Sequence, residues 1–470
     1  MRRTLQRRYA RSLAGVALLL ALGQLPALAA TITVGGGCTL VDAITAANTD
    51  LVTGGCPAGS GADVIALTGN VTLSAVNNTT DGSNGLPSIT SPITLNGGSH
   101  TLQRSTVTGT PEFRLMHVAD SGNLTLDQIT LTNGRAGSPP YYVGGGAVFN
   151  RGALTLTYST VSGNLGNLGG GIYNGFATAT ITNSTISGNT AGSGSGLFNA
   201  GIFTLTNSSV SGNVDSAYDV FSGAISNEGG LTLTGSTVSG NIGVGMSTYH
   251  GGVTLTNSTI SGNNRSGLVN FRGSLALTDS TVSDNTGSGV GLGLFDCDDG
   301  DGGEIATITN STISGNASGG LVVSGDTDDC GTVMLAHSTV SGNRGVGVLN
   351  STSSLKYGGG QLHFVRSLIA GNTGPEVDNT SPYGGGTVYA NNFNLFGTNG
   401  DAGVVGFTPG ATDIISAPGV ALSDILEPLA DNGGPTQTHA LVAGSPALDA
   451  SPIDKDCAAT DQRGAFRPQG

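Results

Sequence analysis

Two short acidic runs carry the clearest chemical signal in this 470-residue chain. The first reads DCDDGD over 296–301 and is followed by Glu304; the second reads DTDDC over 326–330. Asp296, Asp298, Asp299, Asp301, Asp326, Asp328 and Asp329 offer hard oxygen ligands, of which a calcium ion gathers roughly six to eight. Carboxylates held close also raise one another's pKa, which suits an acid–base pair acting on a glycosidic bond. A third reading is a solvated acidic loop on an already acidic protein. The spacing is not that of an EF-hand, because Gly300 stands where a ligand is wanted. The expected cofactor is therefore none, or calcium.

Other candidate groups are sparse. Arg265, Arg272, Arg344 and Arg366 are dispersed, whereas β-elimination of a uronate needs a base together with neutralising cations. The Gly-His-Gly and Arg-Ile-Lys signatures of polygalacturonases are absent, and Asn48-Thr-Asp50 stands out of context. With no Trp, 13 Phe and 10 Tyr, aromatic platforms for sugars are thin. His439 with Asp449 or Asp461 could be read as acid–base chemistry, but a hydrogen-bonded structural histidine is the simpler expectation. No catalytic residue is assigned. The composition leans away from an enzyme.

The elements that position these groups follow from a repeat. A Ser-Thr-Val-Ser-Gly-Asn phrase begins at Ser159 and recurs from Ser184, Ser208, Ser236, Ser258, Ser280, Ser311, Ser338 and Ser367, every 22–31 residues. Before it, apolar residues alternate with Thr, as at Leu154 and Leu156, which is the period of a half-buried strand. After it come a glycine cluster and another short apolar pair, such as Ile172-Tyr173 or Leu197-Phe198. Each unit thus holds three short strands and no helix. Such a unit cannot bury a core alone, so units must stack, each coil hydrogen-bonding to the next. Glycine and Asn suit the left-handed corners. The stacking predicts a side-chain ladder through Asn164, Asn189, Asn213, Asn241, Asn263, Asn285, Asn316, Asn343 and Asn372. Matches to the glycosylation acceptor at Asn183, Asn207 and Asn257 are by-products of the repeat. A leucine-rich repeat has a similar period but different apolar spacing.

The ends differ. Five Arg in the first eleven residues, an apolar stretch over 13–25 and the small residues Ala27, Leu28 and Ala29 read as a signal peptide over 1–29. The apolar stretch is too short to span a bilayer, so no transmembrane segment is expected after its removal. Without those five Arg, 12 bases face 31 acids, a formal charge of −19 against −14 for the whole chain. Nucleic acid is therefore not an expected partner. A helix over 38–48, with Leu40, Val41, Ile44 and Ala47 on one face, should cap the first coil. The β-helix proper is expected over 30–400, and a partly irregular cap over 401–470. Export permits disulfides. Cys38 and Cys56 can staple the first turn, and Cys297 and Cys330 share a phase of neighbouring coils at a separation a disulfide accepts. Cys457 is left over.

The helix segment, with Cys38, Thr39, Leu40, Val41, Asp42, Ala43 and Ile44 followed by Ala46, Ala47 and Asn48, resembles the CSLREA domain of secreted bacterial proteins. The runs at 431–436, 438–441, 444–449 and 460–464 resemble the choice-of-anchor Q domain. The glycine-cluster and Ser-Gly-Asn coils are similar to those of polymorphic outer membrane proteins and the wider pectin-lyase-like superfamily. These resemblances imply an all-β fold, a right-handed single-stranded parallel β-helix, in an exported bacterial protein. They differ from this chain in one respect: choice-of-anchor proteins usually continue into a sorting signal, and this sequence stops at Gly470. The expected role is a secreted or cell-surface adhesive, structural or glycan-binding module, with a polysaccharide or cell-surface glycan as partner. The alternative is a polysaccharide lyase or glycoside hydrolase using the insertions at 296–304 and 326–329.

Overall fold

A computed structural model describes residues 29–136, 144–217, 222–294, 305–325, 331–352, 360–380, 385–454 and 457–467. Period-2 alternation sets the architecture. In the strand Ala153–Thr157 the buried positions are Leu154 and Leu156, and the threonines between them face outward. Each such strand pairs in parallel with its counterpart one repeat later, Leu154 against Ala179 and Leu156 against Ile181. Three stacks result among the described residues. The first sheet has 14 strands, from Thr31–Val34 to Val388–Tyr389; the second has 14, from Val71–Leu73 to Ile414–Ile415; the third has 12, from Met116–Val118 to Val404–Val405. The chain is a right-handed parallel β-helix.

The interior is filled by rows that cross coil after coil. Large and small residues alternate where they meet, as Ala179 beside Phe203, both fully buried. One hydrophobic cluster runs from Ile32 to Phe396. Stacking thereby supplies the burial that no coil has alone.

The corners explain the conserved-looking phrase within the repeat. Its glycine takes the left-handed conformation, with φ of 61° at Gly188, Gly212 and Gly240. So does the residue before its first serine, with φ of 48° at Asn183 and Asn207. The asparagine after the glycine points inward. Asn164 Nδ2 donates to Asn189 Oδ1 at 2.9 Å, and the row continues unbroken to Asn343 and Asn372 at 2.8 Å. It ends on Glu376, whose carboxylate accepts from Asn372 Nδ2 at 2.5 Å and from the Gly371 N–H at 2.7 Å. Burial pushes the Glu376 carboxyl above its usual value, against the pull of those hydrogen bonds. Within the row Asn213 Oδ1 accepts from both the N–H and the Nδ2 of Asn189, and its Nδ2 donates to the Ile186 carbonyl. Asn213→Ala orphans these groups in a dry interior. The expected loss is about 2–4 kcal/mol of stability, read as a shift of the urea midpoint.

Helix α1 (Leu40–Thr49) closes the first coil. Thr39 caps it by accepting from the Asp42 N–H at 3.1 Å, and Leu40, Ala43, Ile44, Ala46 and Ala47 are its buried face. Cys38 and Cys56 are joined by a disulfide beside it, with Cα atoms 4.7 Å apart. No helix among the described residues is long and apolar enough to cross a membrane.

The C-terminal segment does more than cover the far end. Ile425 and Leu426 pack on Leu368, Ala370 and Leu395 there. The chain then runs back along the second sheet. Gln462 Nε2 donates to the Ser280 carbonyl at 3.1 Å, Asn310 Nδ2 donates to the Thr460 carbonyl at 3.1 Å, and Arg366 holds Asp454 at 2.6 Å. The tail is thus a strap along several coils. Its partners are long-range, so the period of the repeat does not reveal them.

Candidate functional site

The third sheet carries a row of rings on its outer side. In Ile172–Asn174, Ile172 faces the core and Asn174 joins a second buried asparagine row, from Asn150 through Asn174 and Asn199 to Asn227. Tyr173 between them must therefore face the other way. Register places Phe149 and Phe198 directly on either side of it, with His117 beyond Phe149. Ring centroids are 5.5 Å apart from His117 to Phe149, 5.0 Å from Phe149 to Tyr173, and 5.2 Å from Tyr173 to Phe198. Tyr173 and Phe198 are stacked, only 5° from parallel. Burial, with the charge of Glu228 adding to it, holds the Tyr173 phenol above its usual value.

The row stops at Phe198. The next two residues in register are Ser226 and Ser247, so the space that two more rings would fill is open. A hollow of about 330 Å³ lies there, lined by Ser193, Phe198, Ser226, Asn227, Glu228, Ser247 and Tyr249. Its back wall is fixed: Ser226 Oγ accepts from Ser193 Oγ at 2.9 Å and from the Gly194 N–H at 2.8 Å. Glu228 is exposed at the rim, and Tyr249 is 40 % exposed. One ring face, several hydroxyls and a carboxylate thus converge on a concave surface. Such a site can hold a sugar ring by its apolar C–H face and its hydroxyls at once.

The other end of the row is charged and closed. Asp81 Oδ2 lies 3.3 Å from His117 Nε2 and 3.0 Å from Arg151, and Arg151 also reaches Asp120 at 2.8 Å. His117 Nδ1 hydrogen-bonds with Ser88 Oγ at 2.9 Å, and its Nε2 faces Asp81. Burial lowers the His117 pKa, Arg114 adding to the effect. Arg114 lies 4.9 Å over the Phe149 ring, and burial brings its guanidinium down to about 10. The Ser88, His117 and Asp81 sequence has the residue types of a nucleophilic triad, but His117 is 1 % exposed. The set clamps the 78–84 turn onto the coil.

The residues singled out by sequence fall elsewhere. Asp296, Asp298, Asp299, Asp301, Asp326, Asp328 and Asp329, with Cys297 and Cys330, lie outside the described residues, as do residues 1–28 of the signal peptide expected over 1–29. Among the described residues no group of three or more His, Cys, Asp or Glu is placed to hold a metal. His439 is a tail anchor: Nδ1 donates to the Glu427 carbonyl at 2.7 Å and Nε2 accepts from Ser314 Oγ at 2.9 Å. Asp461 is instead paired with Arg463. A larger hollow, about 810 Å³, separates the tail from the second sheet and includes the free thiol of Cys457. Among the groups around it, Arg366 faces Asp454 and Arg467 faces His337, so it is read as a docking seam.

The seam gives a pH prediction. Burial lowers the His439 pKa below its ordinary value of about 6.5. A depressed pKa means that the anchoring is complete above that value and is lost as the pH falls through the folded one. Amide protection factors over 436–442, which correct for the slower intrinsic exchange at low pH, should therefore fall from pH 7 to pH 5, and His439→Gln should remove the difference.

Comparison with known proteins supports the architecture. Residues 224–369 match the family described as "Right handed beta helix region". No curated protein matches the chain. Among solved structures the chain is similar to a variant of the periplasmic alginate epimerase AlgG, at 10 % identity and a TM-score of 0.48, over 70 % of this chain and 76 % of that one. It is also similar to the A-module of the Azotobacter vinelandii mannuronan C-5 epimerase AlgE6, at 13 % identity and 0.37, over 76 % and 91 %. Pectate lyase Pel9A follows at 16 % and 0.32, over 87 % and 91 %.

Proposed function

We propose that this protein is an exported glycan-binding module, adhesive in role, that takes sugar rings on the third sheet at the end of the aromatic row. The observation that carries the reading is the hollow at Phe198. A row of rings in strict register ends there on a concave wall that bears hydroxyls, with a carboxylate exposed at its rim. The clamp at His117 is closed, and the larger hollow under the tail is a seam whose Arg366 and Arg467 already face Asp454 and His337. Rings stacked along a rigid solenoid also lose little freedom on binding, which favours affinity.

The test is a screen of the mature protein on immobilised neutral and acidic polysaccharides, with Ca²⁺ or with EDTA. Retention without release of reducing ends or unsaturated product is the expected result. Turnover that disappears when Asp298, Asp299, Asp328 and Asp329 become Asn would replace the binding role with an enzymatic one. Retention abolished by EDTA would move the site to the acidic insertions.

A further inference from the structure

The charges around the hollow select among glycans. We infer that the Phe198 hollow takes an uncharged glycan and rejects polyuronates; this rests on reading the hollow as a sugar site. A polyuronate brings one carboxylate with every ring, and each must be met by a base or remain in water. Among the described residues that line the hollow Glu228 is the one that carries a charge, and it is negative. The nearest bases stand aside from it. His250 packs edge-on against Tyr249 at 4.3 Å, and Arg272 follows Phe271, the partner of Tyr249 on the next coil; neither lines the hollow.

The row's other bases are too far away and already occupied. Arg151 stands on the coil of Phe149, two strand spacings or about 10 Å from Phe198, and Arg114 on that of His117, three spacings or about 14 Å away. These distances reach or exceed the screening length of about 8–10 Å in physiological salt. Arg151 is held by Asp81 and Asp120, and Arg114 lies over Phe149. The whole chain adds a formal charge of −14. A uronate entering here would therefore bring its carboxylate beside Glu228 with no cation to meet it.

An uncharged pyranose has what the walls require. Its C–H face can continue the ring stack on Phe198, in the place left by Ser226. Its hydroxyls can donate to Glu228, a charge-assisted bond stronger than one between neutral groups. Ser226 and Ser247 together open two strand spacings, about 10 Å along the solenoid axis. The hollow is thus long enough to follow a chain of linked rings across the coils.

Titration calorimetry on the full mature chain tests this, with cellohexaose, xylohexaose, hexagalacturonate and a chitosan oligomer at 20 and 300 mM NaCl. One of the neutral oligosaccharides should bind with an affinity insensitive to salt, and Glu228→Gln should weaken it about tenfold. Hexagalacturonate should give no heat with the wild type and should gain binding with Glu228→Lys. Glu228 is exposed, so both variants should fold, and circular dichroism checks that they do. Hexagalacturonate bound by the wild type as tightly as the neutral sugars, and lost in Ser226→Phe, would overturn the charge selection while leaving the sugar site standing. Preference for the chitosan oligomer would overturn neutrality in the other direction. Heat from none of the four would overturn the sugar site itself.

Discussion

Gly229→Ala is expected to lose about 3 kcal/mol or more of stability, while Gly230→Ala, one residue on, is expected to gain about 0.4–1 kcal/mol. The two glycines stand at the corner between the third and first sheets, and they differ in what surrounds them. A Cβ on Gly229 would lie 2.0 Å from the Gly201 carbonyl oxygen, an atom of the coil before it. The obstacle is backbone held in a parallel ladder, so it cannot rotate aside as a side chain would. Coil spacing and Cβ cannot both be kept. The same contact recurs along this corner: Gly152 meets the Gly122 oxygen at 2.2 Å, and Gly273 meets the Gly251 oxygen at 2.0 Å. Ala177 interrupts the column, so the expectation for Gly229 rests on its own 2.0 Å contact. Gly230 has no heavy atom within 4 Å and opens the strand Gly230–Thr234. Alanine there costs no contact and removes freedom from the unfolded chain. Parallel urea titrations of the two variants check the pair. Equal midpoints would show that backbone contact does not set the coil spacing at this corner.

That corner also shows how much of the fold a sequence of this kind displays. Thr–apolar alternation, the Ser-Gly-Asn phrase and the glycine clusters each have a local cause in strand period, ladder and left-handed turn. Their recurrence every 22–31 residues made the parallel β-helix and the row from Asn164 to Asn372 readable before any coordinates. The helix beside Cys38 was readable too, from its apolar face. The aromatic row is present in the sequence, where its members look like parts of short apolar pairs. The pattern of a core residue, a ring and an inward Asn recurs at Val148–Asn150, Ile172–Asn174 and Leu197–Asn199, and its middle member faces outward. Applying period 2 to those three residues would have found the site.

The strap was harder to foresee, because Gln462 and the Thr281 hydroxyl it meets at 2.9 Å are 181 residues apart. One local signal existed. The corner residue before the repeat serine is Asn at 183, 207, 257 and 310, but Tyr158, Gly235, Asp279, His337 and Arg366 depart from it. The last three lie under the tail, as Asn310 also does. Thr436 Oγ1 donates to the Asp279 carbonyl at 3.2 Å, Arg467 meets His337 at 3.1 Å, and Asp454 accepts from Arg366. A left-handed corner prefers Asn for local reasons, so a bulky charged residue there marks a long-range partner.

Ser226→Phe should abolish glycan retention while leaving the solenoid folded, the larger of the two effects expected at the site itself. Phe198→Ala is the obvious variant, and it should weaken binding tenfold or more, about 1.4 kcal/mol or more. It also removes a ring that is 7 % exposed and stacked on Tyr173, so some of its effect would come through the coil. Filling the hollow separates the two causes. Position 226 is in register with Phe198, and a phenyl group there would extend the row by one more ring into the space a sugar needs. The cost is the Ser226 hydroxyl, which leaves the Gly194 N–H unpartnered, about 1–3 kcal/mol. Ring stacking on Phe198 offsets about 0.5–1.5 kcal/mol of it. The variant should therefore melt near the wild type and yet pass through a glycan column unretained. Retention equal to the wild type would place the sugar elsewhere on the solenoid. If Phe198→Ala then lost binding while Ser226→Phe kept it, the ring would be acting through the stack beneath it, by holding Tyr173 and Phe149 in line.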